Sequence, residues 1–306
     1  MISMNTVSLC IATYRRPERL AALLEDLTRQ RLLPDEVVVV DNDPGASAQS
    51  VVEERLRLGA PFPIRYAMQP QKNISLTRNK TVELAGSEWL AFIDDDERAP
   101  AAWLAQLMAA AERFGAHGVL GPVDPVVPPS APGWIRRGRF YDFPRMAPGT
   151  VIPPNRLRFG NVLLQASLVR PMEGPFDPSL GLTGGEDGDL LSRLVLGGAR
   201  IVWCDEAMVS EPVETSRLSL QWLLRRALSG GQDFARHALA GRYGAMPFGR
   251  RAMFFLRALV QAMAAAGLAL VIWPLGRHHA ARWLTTLSAN IGKLSVLWGW
   301  RYREYA

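Results

Sequence analysis

The stretch Trp89-Leu90-Ala91-Phe92-Ile93-Asp94-Asp95-Asp96 decides the fold class. An apolar run that predicts a buried strand is followed directly by three carboxylates. Like charges at short range raise one another's pKa, and a divalent cation relieves this repulsion. Carboxylate oxygens with open positions suit Mg²⁺ or Mn²⁺, which commonly also bind substrate phosphates. A solvated acidic turn that caps the next helix is the alternative, but the position directly after a strand favours a metal site.

Strand-like and helix-like segments alternate on both sides of this stretch. Short apolar runs predict strands at Val7–Ala12, Val37–Val40, Ile64–Met68, Trp89–Ile93 and Val119–Pro122. Helical spacing predicts four helices: one from Pro17 onward, one that follows the turn at Asp43-Pro44-Gly45 and ends at about Leu58, one over Leu76–Ala85 and one over Pro100–Phe114. This alternation predicts right-handed βαβ units, and hence an α/β fold with a Rossmann-like, mostly parallel sheet flanked by helices.

Polar side chains follow several of the predicted strands. Thr13 and Tyr14 come after the first strand, Asp41 ends the second, and Asp94 to Asp96 end the fourth. Ligands of such sheets bind beyond the carboxyl ends of the strands, so we expect these side chains to lie along one edge. Neither a Gly-x-Gly-x-x-Gly after the first strand nor a Gly-Lys-Ser/Thr phosphate loop is present, which disfavours dinucleotide oxidoreductases and P-loop enzymes.

A second carboxylate pair lies in the later half of the chain. Residues 123–158, rich in proline and arginine, predict an irregular stretch over the site, and Phe159–Val169 resumes an apolar pattern. Glu186-Asp187 then follows two glycines and opens a predicted helix, whose N-terminus favours anions. A carboxylate there could act as a general base, and simple capping of the helix is the alternative. Arg200–Cys204 predicts a further strand and Ser219–Leu228 a further helix.

Three arginines are candidates for phosphate or base contacts. Arg78 begins a predicted helix near the strand edge, and its alternative is a surface arginine. Arg225 and Arg226 lie on the predicted helix over Ser219–Leu228, either as a solvated face or as a counter-charge for a diphosphate.

The charge and the cysteines are informative about partners and compartment. Of the formal charge of +6, residues 250–306 carry eight Lys/Arg and one acid, while the rest is almost neutral. The basic pI therefore belongs to the tail, and no nucleic-acid partner is predicted. Cys10 and Cys204 lie inside apolar runs and are expected to be buried free thiols. No secretory signal is recognisable at the N-terminus, which predicts a cytoplasmic location.

The tail predicts apolar and amphipathic helices. Between Arg257 and Arg277 lie 19 uncharged residues, which as a helix span about 28 Å, near the thickness of a bilayer core. Basic flanks and tryptophans suit an anionic membrane surface. Membrane association through residues 250–306 is therefore expected, either as a span or as an interfacial hairpin. The alternative is a soluble helical pair that packs on the main domain or on a second subunit. The apolar stripe of the second helix is Leu284, Leu287, Ile291, Leu294 and Trp298.

Six sequence elements in a fixed order resemble the family 2 glycosyltransferases with a GT-A fold. The chain is most similar within them to bacterial enzymes of succinoglycan and exopolysaccharide biosynthesis, over roughly residues 5–230. The elements are Val7 to Pro17, Val38 to Asn42, Asn73 to Asn79, Phe92 to Asp96, Phe159 to Val162 and Thr183 to Asp187.

The resemblance implies an inverting, metal-dependent transfer of a sugar from a nucleotide-diphosphate donor, with a UDP-sugar favoured. It implies that Asp95 faces the ribose, that Asp96 with Asp94 holds Mn²⁺ or Mg²⁺, and that Asp187 is the general base. The residues implied to bind the nucleotide sugar are Thr13, Tyr14, Glu18, Asp41, Arg78, Asp94 and Asp95. Glu186 and Trp222 are implied on the acceptor side. Arg225 and Arg226 lie where many relatives have Gln-x-x-Arg-Trp, but this chain has Trp222-Leu223-Leu224-Arg225-Arg226 instead.

The resemblance also divides the chain. Residues 1–240 would form the GT-A domain, with a nucleotide-binding half at about 1–122 and an acceptor-binding half at about 123–240, and residues 241–306 the basic tail. The acceptor would be a saccharide or a polyisoprenyl-diphosphate-linked saccharide. The expected location is the cytoplasmic side of a bacterial inner membrane, or the cytoplasm if the tail packs on the protein.

Two other functions are alternatives to sugar transfer. A nucleotidyltransferase that makes the activated sugar uses a similar sheet, but it should have a glycine-rich phosphate loop after the first strand, and Thr13 to Pro17 contains no glycine. A non-catalytic sugar-binding scaffold would not need the acidic triplet together with Glu186-Asp187.

Overall fold

The structure, a computed structural model, describes residues 5–302. They divide into two compact units. The first takes the chain up to Asp124 together with Phe143–Leu182 and Glu186–Glu211. The second takes Pro125–Asp142, Thr183–Gly185 and the chain from Pro212 onward. The predicted boundary near residue 240 falls inside the second unit and stays a prediction.

Strands in the described residues form one large and one small sheet. The large sheet has seven strands in the order β3-β2-β1-β4-β7-β5-β8, and the small one pairs β6 with β9. The strands are β1 (Val7–Thr13), β2 (Glu36–Asp41), β3 (Ile64–Met68), β4 (Trp89–Phe92), β5 (Gly118–Leu120), β6 (Val123–Val126), β7 (Val162–Gln165), β8 (Ile201–Trp203) and β9 (Val209–Pro212).

Helices cover the sheet in the first unit and dominate the second. They are α1 (Pro17–Thr28), α2 (Gln49–Arg57), α3 (Ile74–Leu84), α4 (Trp103–Phe114), α5 (Gly133–Gly138), α6 (Ala166–Val169), α7 (Glu186–Leu196), α8 (Leu220–Leu239), α9 (Phe248–Ile272) and α10 (Arg277–Ser295). The predicted α/β fold, with a mostly parallel sheet and C-terminal apolar helices, is confirmed. The last predicted tail residues, 303–306, lie outside the described residues.

The direction of the strands changes at β7. β1 pairs in parallel with both β2 and β4, whereas β7 runs antiparallel to β4 and to β5. Every residue of β2 is buried, as expected for a strand covered on both faces, so Val37–Val40 needs no polar alternation. The order of strands reverses between β1 and β4, and the carboxyl ends of these two strands therefore border the crevice where such sheets bind ligands.

Asn161, just before β7, is held by three side-chain hydrogen bonds at the point where the strand direction changes. Its side chain accepts a hydrogen bond from Trp103 Nε1 at 2.8 Å and donates to the carbonyls of Pro122 (3.0 Å) and Ala207 (2.6 Å). Asn161 is buried, so these three bonds replace the water that its amide loses. Gly121 allows the close approach, because a Cβ there would lie 2.4 Å from the Asn161 amide nitrogen.

Two predictions need correction. Residues 123–158 are not irregular throughout, because they contain β6 and α5. Pro125 did not indicate a strand, but each strand of a two-stranded sheet has a free edge where proline is tolerated. The helix predicted over Ser219–Leu228 continues to Leu239 as α8, through Gly230 and Gly231.

Tertiary packing explains one of the two glycines of α8, Gly231. A Cβ at Gly231 would lie 2.0 Å from the carbonyl oxygen of Ala289 on α10, and one at Gly292 would lie 2.2 Å from that of Leu228. Ser288 Oγ also donates to the Leu224 carbonyl at 2.7 Å. The backbones of α8 and α10 therefore approach as closely as glycine allows, and this contact outweighs the low helix propensity of glycine.

Helix α9 has an inverted exposure pattern. Its buried residues are all small: Ala258, Ala262, Ala265 and Ala269. Large apolar side chains are exposed instead, namely Met253, Leu256, Leu259, Val260, Met263, Leu268, Leu270 and Val271. By length and composition, the helical stretch Phe248–Leu275 is the one candidate membrane span among the described residues.

We predict that Gly231→Ala destabilises the protein by about 1–3 kcal/mol, because the new methyl group must displace the Ala289 carbonyl. The matched control is Gly230→Ala, since nothing lies within 4 Å of a Cβ at that position. In an exposed helix interior this change should stabilise by about 0.5–1 kcal/mol. Urea denaturation of both variants measures the difference, and equal effects would contradict the close packing of α8 on α10.

Candidate functional site

A buried hydrogen bond to a carboxylate joins the ends of β1 and β4. Thr13 Oγ1, the last residue of β1, donates to Asp95 Oδ2 at 2.7 Å. Asp95 and Asp96 are both buried. Burial raises the pKa of Asp95 to about 6, although the charge of Arg16 opposes the shift. Thr13 and the acidic triplet are therefore brought together at the crevice, as the sequence predicted.

Two arginines neutralise this pair, and the sequence patterns did not indicate them. Arg16 Nη1 lies 3.0 Å from Asp95 Oδ1 and 2.8 Å from Asp96 Oδ2. Arg19 Nη1 lies 3.3 Å from Asp96 Oδ2. Arg16 is the residue directly before α1 and Arg19 lies in its first turn, so both come from the segment that follows β1. That position after a strand is the only sequence signal that could have identified them.

Arg78 of α3 joins the acidic triplet to α7. Its Nη1 lies 2.6 Å from Glu186 Oε1, and its Nη2 lies 3.2 Å from Asp94 Oδ1. The guanidinium also lies over the ring of Phe159, 4.5 Å from the centroid. Only 10% of the Arg78 side chain is exposed. The alternative of a surface arginine is wrong, and the predicted contact of Arg78 with a base or phosphate stays a prediction.

Asp94 shares its surroundings with two other carboxylates. Burial raises the pKa of Asp94, the charge of Arg78 opposes the shift, and the charges of Asp96 and Asp187 add to it. The burial is incomplete, because 44% of the Asp94 side chain is exposed. The acidic triplet and the predicted general base thus act on one another electrostatically.

Glu97 is a fourth carboxylate that the sequence interpretation missed. It is buried, and Glu97 Oε2 accepts a hydrogen bond from the Asp94 backbone N–H at 3.1 Å. Burial, together with the charge of Asp94, raises the pKa of Glu97 well above its usual range. Gly160, with φ +107°, passes directly over it, because a Cβ there would lie 2.7 Å from Glu97 Oε1. The spacing Asp94-x-x-Glu97 was the available signal.

Asp41, the last residue of β2, accepts three hydrogen bonds from other residues of the first unit. Its Oδ2 accepts hydrogen bonds from the Ala48 N–H at 2.7 Å and from the Tyr66 hydroxyl at 3.2 Å, and Oδ1 accepts one from the Asp43 N–H at 2.9 Å. Asp41 is fully buried. These bonds fix the loop after β2, and the predicted contact of Asp41 with the nucleotide sugar stays a prediction.

Tyr14 and Glu18 lie near the start of α1. Cationic groups of Arg15 and Lys72 lie 5.1 and 5.4 Å from the centre of the Tyr14 ring, which is half-buried. Arg15 has φ +55° and pairs with Asp43 at 3.1 Å. Glu18 is exposed in the first turn of α1. Their predicted contacts with a nucleotide remain predictions.

Asp187 opens α7 with one local hydrogen bond. Its Oδ1 accepts from the Gly188 N–H at 2.6 Å, and its side chain is half-buried. Gly184 and Gly185 before it have φ +83° and +91°, the left-handed region in which glycine is favoured. The two glycines therefore set the direction in which α7 begins, and with it the position of Glu186 and Asp187.

Trp222, Arg225 and Arg226 belong to α8 in the second unit. The Trp222 ring packs against Tyr141, with 5.9 Å between the ring centres, so it contributes to a local apolar cluster. Arg225 and Arg226 are exposed on α8. Their predicted roles at the acceptor and at the diphosphate remain predictions.

The buried carboxylates suit a divalent cation. Among residues 5–302, no three His, Cys, Asp or Glu side chains converge in a metal-binding arrangement. Asp95 and Asp96, however, already hold a cation, the guanidinium of Arg16. Hard oxygen donors at that position fit Mg²⁺ or Mn²⁺, ions that take further ligands from substrate phosphates and water. Cys10 and Cys204 are buried free thiols, as predicted, and they lie outside this site.

The seven-stranded sheet, with an acidic cluster at its β1–β4 crevice, has the GT-A fold. The chain belongs to glycosyl transferase family 2, whose pattern it matches over residues 8–162. It is 38% identical over 238 residues to the succinoglycan biosynthesis protein ExoM of Rhizobium meliloti, covering 75% of this chain and 74% of that protein. It is also 29% identical to the galactofuranosyltransferase GlfT1 of Mycobacterium tuberculosis, over 68% of this chain and 70% of that one.

Solved structures share the fold. The mannosyltransferase PcManGT from Pyrobaculum calidifontis, in complex with GDP-Man and Mn²⁺, superposes with a TM-score of 0.63 at 18% identity, over 97% of this chain and 88% of that one. S. aureus TarS 1–349 in complex with UDP-GlcNAc gives a TM-score of 0.54 at 17% identity, over 97% and 93% of the two chains.

We predict that Arg78→Ala lowers the free energy of unfolding by about 3–5 kcal/mol, because it leaves the buried Glu186 carboxylate without its arginine. Urea denaturation measures this loss. The control is Arg57→Ala, which removes an exposed arginine paired with Glu54 on the surface of α2 and should leave the stability unchanged within error. A loss for Arg78→Ala no larger than that of the control would show that the Arg78 bridge is not structural.

Proposed function

We propose that this glycosyltransferase is inverting and metal-dependent, and that it moves a sugar from a nucleotide-diphosphate donor, preferably a UDP-sugar, to a saccharide or lipid-linked saccharide. The observation that carries the proposal is the buried Asp95–Asp96 pair at the end of β4, bonded to Thr13 and neutralised by Arg16. The TarS complex with UDP-GlcNAc and the PcManGT complex with GDP-Man and Mn²⁺ support a nucleotide-sugar donor. The likeness to a succinoglycan biosynthesis protein supports a role in polysaccharide synthesis.

The first unit would bind the donor through the ends of its strands. Asp95 would face the ribose, and Asp96 with Asp94 would hold Mn²⁺ or Mg²⁺. Such an ion would stabilise the negative charge that grows on the leaving diphosphate. Thr13 would orient the Asp95 carboxylate, since it donates to Oδ2 and leaves Oδ1 directed toward Arg16. Tyr14, Glu18, Asp41 and Arg78 would complete the nucleotide side.

Asp187 would be the general base. The acceptor hydroxyl would attack the anomeric carbon opposite the diphosphate, forming the new C–O bond as the bond to the diphosphate breaks. Asp187 would take the hydroxyl proton. The half-buried position of Asp187 in the first turn of α7 supports this role. Glu186 would act on the acceptor side through Arg78, which holds it, and Trp222 would lie on that side as well.

The two alternatives have less support. The chain belongs to a glycosyltransferase family and is 38% identical to a succinoglycan biosynthesis protein. Both facts favour sugar transfer over nucleotide-sugar formation. The same membership disfavours a non-catalytic scaffold.

We further propose that residues 250–306 contact the cytoplasmic face of a bacterial inner membrane. The inverted exposure of α9 supports this, because its alanines are buried and its large apolar side chains are exposed. Arg250, Arg251 and Arg257 lie near the start of the same helix, where they could pair with anionic lipid headgroups. A polyisoprenyl-diphosphate-linked acceptor would be presented at such a surface.

We predict that Asp187→Asn retains binding of UDP with Mn²⁺ and loses transfer by about 100-fold or more, because the amide cannot accept the hydroxyl proton. Calorimetry measures the binding, and release of UDP during turnover measures the transfer. Glu112→Gln, an exposed change on α4, is the control and should retain both. Transfer by Asp187→Asn near the wild-type rate would remove Asp187 from the role of base.

We predict that the full-length protein floats with vesicles containing phosphatidylglycerol, and that Leu256→Gln/Val260→Gln/Met263→Gln abolishes flotation with its fold intact. These three side chains are exposed on one face of α9. The control is Leu56→Gln/Leu58→Gln, which alters two exposed leucines of the first unit and should float like the wild type. Flotation that survives the α9 changes, or a wild-type protein that stays in solution, would overturn the proposal.

A further inference from the structure

Arg16 occupies the position where the proposed function requires a divalent cation. One of its nitrogens, Nη1, lies within 3.0 Å of both Asp95 Oδ1 and Asp96 Oδ2, so a single donor bridges two carboxylates. Both carboxylates are buried, whereas 34% of the Arg16 side chain is exposed. The arginine therefore reaches the acidic pair from the solvent side.

A cation at this place lowers the free-energy cost of burying two ionised carboxylates. Two neighbouring carboxylates in a buried setting repel one another, and each loses the water that would stabilise its charge. A positive partner stabilises Asp95 and Asp96 in the free enzyme; Arg16 bridges both carboxylates, and Arg19 lies 3.3 Å from Asp96 alone. A divalent ion on Asp96 would be next to the Arg16 guanidinium, which binds the same carboxylate. The two cations would repel one another, so they compete for Asp96.

The diphosphate of a nucleotide gives the guanidinium another partner. Arginine binds phosphate oxygens with the same two-pronged geometry that it uses for carboxylates. Arg16 precedes α1 directly, and its side chain is 34% exposed, so we expect a change of its rotamer to leave the backbone of β1 in place.

We propose that Arg16 is an exchangeable counter-ion. It neutralises Asp95 and Asp96 before the donor binds, and it moves to the diphosphate when a divalent cation takes Asp96. This inference rests on the metal-dependent function proposed above. It assigns Arg16 a positioning role in donor binding and makes the metal and the nucleotide bind together: each is bound weakly alone, and each promotes the other.

The test is the affinity of the full-length protein for Mn²⁺, measured from the electron paramagnetic resonance signal of free Mn²⁺, with and without UDP. In the wild type, UDP should tighten Mn²⁺ binding strongly. Arg16→Gln should bind Mn²⁺ without UDP about tenfold more tightly than the wild type, because its competitor is gone. UDP should then tighten Mn²⁺ binding at least about fivefold less in this variant than in the wild type.

Arg15→Gln is the matched control. Arg15 is the preceding residue, pairs with Asp43 and is largely exposed, so its loss removes the same charge from the same turn without changing Asp95 or Asp96. Its Mn²⁺ affinity should stay within about twofold of the wild type. Arg16→Lys retains the charge without the guanidinium fork and should give an intermediate Mn²⁺ affinity; it serves also if Arg16→Gln does not fold.

The outcomes separate this inference from the proposed function. A wild-type protein that binds no Mn²⁺ even with UDP would overturn the metal dependence, and the exchange with it. A wild type that binds Mn²⁺ with UDP, while Arg16→Gln matches it or binds Mn²⁺ more weakly without UDP, would overturn the exchange alone. Equal tightening in Arg15→Gln would also overturn it, since the effect would then be one of general charge.

Discussion

The structure of the first unit depends on neutralising carboxylates that are buried where β1 and β4 end. Asp95, Asp96 and Glu97 follow one strand in direct succession, and all three are buried. Thr13 comes from β1, Arg16 and Arg19 from the start of α1, and Arg78 from α3, so each element around the crevice contributes at least one compensating group. Because these groups lie 16 to 82 residues from their partners along the chain, the acidic cluster also holds the βαβ units in register.

Glycine and asparagine positions near the cluster have a mechanical explanation. Gly160 leaves room for the Glu97 carboxylate, and Asn161 ties three segments together immediately before β7 reverses the sheet. Gly181 leaves room for the Asn73 side chain, because a Cβ there would lie 1.8 Å from Asn73 Oδ1. That oxygen caps α3 by accepting a hydrogen bond from the Leu76 N–H. Arg78, one turn further along α3, is positioned by that cap. Residues that carry the resemblance to the family thus act through close backbone approach as much as through chemistry.

Local periodicity predicted most of the first unit, because a buried strand or an amphipathic helix is visible within a few residues. The strand at Ile64–Met68 and the edge formed by Thr13 and the acidic triplet follow from such patterns. What could not be predicted depends on distant partners. Arg16 and Glu97 look like surface residues until β1 and β4 are adjacent, and Gly230-Gly231 looks like a helix end until α10 packs against it. The contacts that Asn161 makes just before the antiparallel strand β7 are likewise long-range, and no window of sequence contains them.

The arginines of the acidic cluster differ in how firmly they are held, and this difference separates structure from function. Arg78 is 10% exposed, bridges Glu186 and Asp94, and is covered by Phe159, so its removal must leave charge in a buried place. Arg16 is 34% exposed and holds its carboxylates from the solvent side. A group that must stay is enclosed on several sides, whereas a group that must leave needs a route to water and a second partner. By this criterion Arg78 is part of the permanent frame, and Arg16 is the cation that a donor and its metal can replace.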